Sequence, residues 1–226
     1  MTGSERVERR QQLSDEVADH VRDLIMSGQL REGDFIRQER IADDLDLSPT
    51  PVREGLLALR GEGFVQLKPR RGFVVAPLGG DDIRDLFMAQ AMLAGELVCR
   101  AATNASDDDI AALRQVYDDT AKASEVGDVE LVGRLHHDFH RRINRLAGSQ
   151  RLAWMLSIST KFAPRTFFAS VPGWAAVSAD DHAAIITALL ARDGEAARTA
   201  MMRHMANAGE LLAGHFEAAQ GAPSTH

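Results

Sequence analysis

The chain of 226 residues contains 45% hydrophobic and 26% charged residues, values typical of a globular protein with one large or two smaller domains. The single cysteine (Cys99) excludes an internal disulfide, the start MTGSERVERRQQ does not resemble a signal peptide, and no run approaches the roughly 20 apolar residues of a membrane span, so we expect a cytoplasmic protein without a membrane partner. The net charge of −7 argues against nucleic acid as a partner unless positive charge is concentrated locally.

The first elements are helical. Residues 1–12 are charged and are predicted to be flexible. Ser14 is placed to cap a helix whose apolar residues recur at helical spacing from Leu13 to Ile25. A second, short helix follows around Ile41. Ser48 is then placed to cap a third helix that buries Val52, Leu56 and Leu59 and stops at Gly61-Glu62-Gly63.

Two β-rich runs, FVQLK and FVVAP, follow the third helix and are separated by Pro69-Arg70-Arg71-Gly72. They predict a hairpin with a basic tip. Helix, helix, turn, helix and hairpin, in this order, predict a winged helix-turn-helix domain over residues 13–77.

The residue types of this domain point to DNA. A recognition helix enters the major groove by its N-terminal end, where short hydroxyls and an arginine bond phosphates and base edges. Residues 47–77 also carry 5 Lys+Arg against 2 Asp+Glu. The alternative, a solvated helix start and an ordinary turn, explains each residue alone but not the ordered set. We predict these DNA contacts: Ser48, Thr50 and Arg53 on the helix, and Arg70, Arg71 and Gly72 at the hairpin tip.

The remainder of the chain predicts helices only. Residues 78–82 are interpreted as a linker, 83–217 as an antiparallel α-helical bundle, and 218–226 as a disordered tail, which makes the fold class mainly α. Six helices are predicted: Asp81–Asn104, Asp107–Val126, Val129–Leu146, Gln150–Ala169, Ala179–Arg192 and Gly194–Ala218.

Four histidines fall on apolar faces of three of these helices. His136 and His140 are four residues apart and share a face, His182 shares a stripe with Ile185, and His204 shares one with Met201. Buried imidazoles need polar partners, and one divalent metal ion satisfies several at once. The alternative is four independent core histidines bonded to separate neighbours, and spacing alone leaves both hypotheses open.

The first domain resembles the GntR family of transcription regulators. The stretch LSPTPVREGLLALRGEGFVQLKPRRGFVVAPL is similar to that family's signature, and the resemblance spans about Leu13 to Pro77. It implies that Ser48, Thr50 and Arg53 contact an operator. Gly55 stands where the family usually has alanine, and we expect it to cost roughly 0.5–1 kcal/mol of helix stability.

The second domain resembles the FCD ligand-binding domain of the FadR-like subfamily, in its VanR-type branch with six helices. Phe139-His140, Asp181-His182 and Met201 with His204 match its patterns. Metal-binding members use one Asp and three His, and His136 stands at the Asp position. The resemblance implies a metal site of His136, His140, His182 and His204, and the exchange of a carboxylate for an imidazole favours zinc or nickel.

The same resemblance implies a small-molecule effector bearing a carboxylate. The first helix of such domains often carries an Arg and a Glu, and here we find Gln90 and Ala94. Charge pairing with the effector would then fall to another residue, and the candidates are Arg134 and Arg165.

These features together predict a homodimeric DNA-binding regulator, expected to be a repressor, that reads an inverted repeat and is controlled by its effector. One alternative is a metal-responsive regulator in which the ion is the signal. A second, less favoured, is a metal-dependent hydrolase, which needs a general base such as Asp138 or Asp181. We therefore expect no enzyme activity.

Overall fold

A computed structural model of the chain describes residues 3–160 and 174–221. The fold divides into two units: the first comprises Met1–Gly79 with Phe216–His226, and the second comprises Gly80–His215. No helix in the described residues is long and apolar enough to cross a membrane.

The first unit is a small helical domain with one hairpin. Its core is formed by apolar side chains of α1 and α3, including Val17, Val21, Val52, Leu56 and Leu59, none of which is exposed. The elements, in chain order, are α1 (Gly3–Met26), α2 (Gln38–Leu45), α3 (Pro49–Gly61), β1 (Val65–Lys68) and β2 (Gly72–Val75). The predicted winged helix-turn-helix arrangement is confirmed.

Helix α1 begins earlier than the sequence predicted. Residues 1–12 were expected to be flexible, yet the helix starts at Gly3, and Ser14 lies inside it, with its hydroxyl bonded to the carbonyl oxygen of Gln11 at 2.9 Å. Within these early turns, Arg10 pairs with Glu54 of α3 and Gln11 bonds Asp15 one turn later. The prediction of a flexible segment was therefore wrong for the described part of it.

The hairpin has the predicted basic tip. Strands β1 and β2 pair antiparallel, with Lys68 opposite Gly72. Arg70 and Gly72 both adopt positive φ, 63° and 85°, so the tight turn depends on a glycine at the second position. Phe35 adds an isolated bridge to Val74, which sequence periodicity did not reveal.

The second unit is helical throughout its described residues. A contiguous apolar core joins all of its helices, and α5 begins with a reciprocal capping box between Ser106 and Asp109. The elements are α4 (Gly80–Asn104), α5 (Asp107–Glu125), α6 (Val129–Leu146), α7 (Gln150–Ser159), α8 (Trp174–Leu190) and α9 (Gly194–Gly221), of which the part from Phe216 onward belongs to the first unit. The predicted helical bundle is confirmed.

Several predicted boundaries differ from the structure. Helix α4 begins at Gly80, inside the predicted linker 78–82, and α8 begins at Trp174 rather than Ala179 because Trp174 packs into the core. Helix α7 ends at Ser159, and the rest of the predicted Gln150–Ala169 helix falls partly outside the described residues. Helix α9 continues to Gly221, past the expected start of a disordered tail at 218, because Phe216 is buried and Gln220 bonds the Ile25 carbonyl.

Candidate functional site

Helix α3 presents the predicted contact residues to solvent. Val52, Leu56 and Leu59 fix its orientation by facing α1, which leaves Ser48, Thr50 and Arg53 exposed on the other side. Ser48 occupies the N-cap position, as predicted, but its side chain makes no capping hydrogen bond. Its hydroxyl is therefore available to a partner outside the helix.

The hairpin tip presents the second set. Arg70 and Arg71 are exposed, and Gly72 is partly exposed, so the turn offers two guanidinium groups beside a backbone without a Cβ. Arg71 lies over the Phe35 ring at 6.0 Å, a cation–π distance. The assignment of all six residues to DNA contact stays a prediction.

Gly55 has a role that the sequence did not reveal. A Cβ at this position would lie 2.7 Å from the carbonyl oxygen of Ser14 and 2.7 Å from Cγ1 of Val17. The glycine therefore allows α3 to approach α1 closely. The expected penalty in helix propensity is offset by this packing.

The four predicted histidines come together inside the second unit. Nε2 of His140 lies 3.2 Å from Nε2 of His136, 3.1 Å from that of His204 and 3.3 Å from that of His182. One ligand atom from each of the four residues lies within 4.8 Å of the other three. Helices α6, α8 and α9 supply them, and their convergence depends on tertiary packing.

Hydrogen bonds alone do not account for this geometry. A neutral imidazole has one N–H, so Nε2 of His140 is able to donate to only one of its three neighbours, whichever tautomer it adopts. The remaining lone pairs face one another and repel. Two nitrogens bound to one zinc ion at about 2.0–2.1 Å lie about 3.3 Å apart in tetrahedral geometry. The observed separations from His140 fit ligands of a shared cation.

The environment of the cluster favours the neutral form of His136, His140 and His182. Burial, together with neighbouring histidines, lowers the pKa of His136 to about 3 and holds the pKa values of His140 and His182 well below the ordinary 6.5. The ring of Phe139 stacks on His182 at 4.3 Å, and the edge of Trp174 meets His136 at 4.8 Å. Neutral imidazoles have the lone pairs that bind metal ions at physiological pH.

Asp181 is a site residue whose role the sequence analysis missed. Its carboxylate is 3% exposed and lies 3.7 Å from Nδ1 of His204, on the side of the ring away from the cluster. Burial would raise its pKa, but the nearby His204 and hydrogen bonds from Asn207 and Arg203 outweigh burial and lower the pKa to about 2. A carboxylate behind a ligating histidine orients the ring. The sequence feature that could have indicated this role is the position of Asp181 directly before His182 on an apolar stripe.

The residues predicted as general bases or effector contacts are not shown to line the four-histidine cluster. Asp138 is held by Arg141 and Arg142, at 2.5 and 2.6 Å, so neither it nor Asp181 is a general base poised over the cluster. Arg134 is exposed and pairs with Glu130, and its effector role stays a prediction. Arg165 lies outside the described residues. Gln90 is buried and donates to the carbonyl oxygen of Ser159 at 2.9 Å.

Comparisons with known proteins agree with this two-part organisation. Residues 13–75 match the family described as bacterial regulatory proteins, gntR family, and residues 85–207 match the FCD domain. The "Glc operon transcriptional activator" of Escherichia coli (strain K12) is 28% identical over 221 residues, which cover 87% of this chain and 87% of that protein. The "Nta operon transcriptional regulator" of Aminobacter aminovorans is 27% identical over 184 residues, 80% of this chain and 86% of that protein.

A solved structure shows the same fold. That of E. coli McbR/YncC superimposes with a TM-score of 0.65 and 23% sequence identity, covering 86% of this chain and 94% of that chain. At this identity the likeness concerns the fold alone.

Proposed function

The chain belongs to the gntR family of bacterial regulatory proteins and carries an FCD domain, so it is a transcription regulator, and we propose that a carboxylate effector bound at a metal in the four-histidine cluster controls its affinity for DNA. The observation that carries this proposal is the meeting of four imidazole nitrogens in the second unit. The exposed face of α3 and the hairpin tip are its DNA-binding surface, with Arg53 reading base edges.

The residues present fit a divalent transition metal. Four neutral nitrogen donors suit zinc or nickel, whereas magnesium and calcium prefer oxygen ligands. His136, His140, His182 and His204 would hold the ion, and Asp181 would orient His204 from behind. A bound ion supplies a Lewis-acidic centre to which an oxygen ligand is able to bind.

The charge of the site favours an anionic effector. Asp181 is already paired with Arg203, so a divalent ion held by the four imidazoles would leave an excess of about two positive charges. A carboxylate would reduce that excess. Gln90 stands where the family often has an arginine, and its side chain is hydrogen-bonded to the Ser159 carbonyl oxygen. Because Gln90 carries no charge, the metal ion would attract the effector's carboxylate in place of the arginine.

We expect the protein to bind an inverted repeat as a homodimer, because one small domain buries too little surface for tight operator binding. The second unit exposes apolar side chains that a second copy of the chain would cover. Met88 and Met92 lie one turn apart on α4, and Trp154 and Ile158 one turn apart on α7, which packs against α4. Size-exclusion chromatography with light scattering tests this expectation, and a monomer at micromolar concentration would contradict it.

The test of the proposed function begins with elemental analysis of protein purified without chelators or a metal-affinity tag. We expect about one zinc or nickel ion per chain. Operator affinity of the loaded protein should then change when a library of small carboxylates is added. Protein that stays empty in zinc and nickel titrations would contradict the metal site.

The same titrations address the alternatives. A metal-responsive regulator would change its DNA affinity with the ion alone, without any carboxylate. A hydrolase is disfavoured because the relatives are transcription regulators and because Asp138 and Asp181 are engaged elsewhere. The expectation of a repressor stays a prediction, and a reporter gene behind the selected operator tests it.

A further inference from the structure

The basic stretch 47–77 contains two acidic residues, and arginines of α1 hold both. Glu62 accepts a hydrogen bond from Nη2 of Arg22 at 2.7 Å. Glu54, the only acidic residue of α3, binds Arg10 through both of its oxygens, with Nε of Arg10 at 2.8 Å from Oε2. The first helix thus supplies a counter-charge for each acid in this part of the sequence.

This pairing changes the charge that the surface offers. Counted by sequence, the stretch has an excess of three positive charges, 5 Lys+Arg against 2 Asp+Glu. With Glu54 paired to Arg10, and Glu62 paired to Arg22, which Asp19 shares, the excess rises above three. The five basic side chains of the stretch form no ion pair with any residue of 3–160 or 174–221. They are Arg53, Arg60, Lys68, Arg70 and Arg71. DNA affinity depends on the cations that meet phosphates, so α1 strengthens a surface it does not itself form.

The two pairs differ in burial, and the difference separates their roles. The Arg22 side chain is 3% exposed, also bonds Asp19, and lies over the Phe64 ring, so it is a structural residue. The side chains of Arg10 and Glu54 are 60% and 32% exposed. Exposed ion pairs contribute little to stability, and the Arg10 pair therefore permits an electrostatic test that leaves the fold intact.

Glu54 directly follows Arg53, the residue assigned to base recognition. A carboxylate released at this position would lie beside the phosphates, which it repels, or would pair with the neighbouring guanidinium. The two-point bond from Arg10 fixes the carboxylate on the α1 side of α3.

We propose that Arg10 is a positioning residue of the DNA-binding surface: it holds the Glu54 carboxylate so that Arg53 faces DNA unopposed. The inference rests on the proposed assignment of Arg53 to the operator. It gives the early turns of α1 a function that their charged, irregular sequence does not suggest.

The test measures the affinity of the full-length protein for one duplex, chosen from a random-sequence library by the wild type. We expect Arg10→Gln to weaken binding about threefold to tenfold at moderate salt. Glu54→Gln alone should bind at least as tightly as the wild type. In the Glu54→Gln background, the Arg10→Gln change should alter affinity less than about twofold.

Arg9→Gln is the matched control, because it removes the same charge from the neighbouring, exposed position of α1. We expect it to change affinity less than about twofold, and thermal unfolding should be alike for all these variants. Equal losses in both backgrounds, with the salt slope reduced by about one, would show that Arg10 contacts phosphate directly and would overturn the proposal. An unchanged affinity for Arg10→Gln would also overturn it. If the wild type selected no duplex, the proposed function would fall, and this inference with it.

Discussion

The two candidate sites are built in opposite ways. The residues predicted to contact DNA lie within 25 positions of one another, from Ser48 to Gly72, and are exposed or partly exposed on one helix and one turn. The histidines span 69 positions, from His136 to His204, and meet in the interior of three packed helices. A surface site follows from local order along the chain, whereas a buried site exists only once the tertiary packing is in place.

This contrast has an energetic side. An exposed arginine keeps its hydration and is removed at little cost to the fold. Two buried and two partly buried imidazoles whose lone pairs face one another are an unfavourable arrangement without a cation. Substitutions should therefore act locally in the first region and change both binding and stability in the second.

The largest effect is expected for His140→Ala. Nε2 of His140 lies within 3.3 Å of a ring nitrogen of each of the other three histidines, so its loss removes the central donor, and we expect metal affinity to fall more than about 1,000-fold. Elemental analysis and zinc titration of chelator-treated protein measure it. His137→Ala is the matched control, because His137 is the adjacent, exposed histidine of α6. Equal metal content in the His140→Ala protein and the wild type would refute the site.

Arg53→Ala should reduce specific DNA binding by about 10- to 100-fold, the size of one bidentate contact to a base. Anisotropy titrations with the selected duplex and with a mixed-sequence duplex measure the ratio of specific to non-specific affinity. Metal content should not change. Arg100→Ala, in an exposed pair with Glu96 of the second unit, should leave DNA affinity as it is. An undiminished specificity ratio for Arg53→Ala would remove this residue from the recognition surface.

Asp181→Asn should weaken metal binding by about 10- to 100-fold, because the amide loses the charge that orients His204. Competition with a chromophoric chelator measures the change. Asp138→Asn provides the comparison: this carboxylate is on α6 between His136 and His140 but is held by Arg141 and Arg142. Were the two variants equally affected, Asp181 would have no special link to the cluster.

Sequence reasoning succeeded where the relevant residues are neighbours in the chain. The signature around α3 predicted the helix-turn-helix, and the four-residue spacing placed His136 and His140 on one face. It could not show that His182 and His204 point at the same place, because that depends on how α8 and α9 pack against α6. The resemblance to metal-binding FCD domains supplied that step.

The failures have a common physical cause. In the helical residues 3–12, Arg10 pairs with Glu54, which lies 44 positions away, and no local pattern reveals such a partner. Asp181 was considered only as a base, since its partners Arg203 and Asn207 come from another helix. In each case a charged side chain has a structural role set by long-range contacts.

Gly55 is a further position where a contact between distant residues matters, and Gly55→Ala gives a small and specific prediction. Helix propensity alone predicts stabilisation by about 1 kcal/mol. The new Cβ would, however, meet the Ser14 carbonyl oxygen and the Val17 side chain at 2.7 Å, and overpacking of this kind costs about 1–3 kcal/mol. Because part of the obstacle is backbone, we expect a net loss of about 1–2 kcal/mol in the first unit, seen as faster hydrogen exchange in α1 and α3, with α6 and metal content unaffected. Gly61→Ala, on the same helix but with open space around its Cβ, should not show the loss. A stabilised Gly55→Ala protein would mean that propensity, and not the approach of the two helices, governs this position.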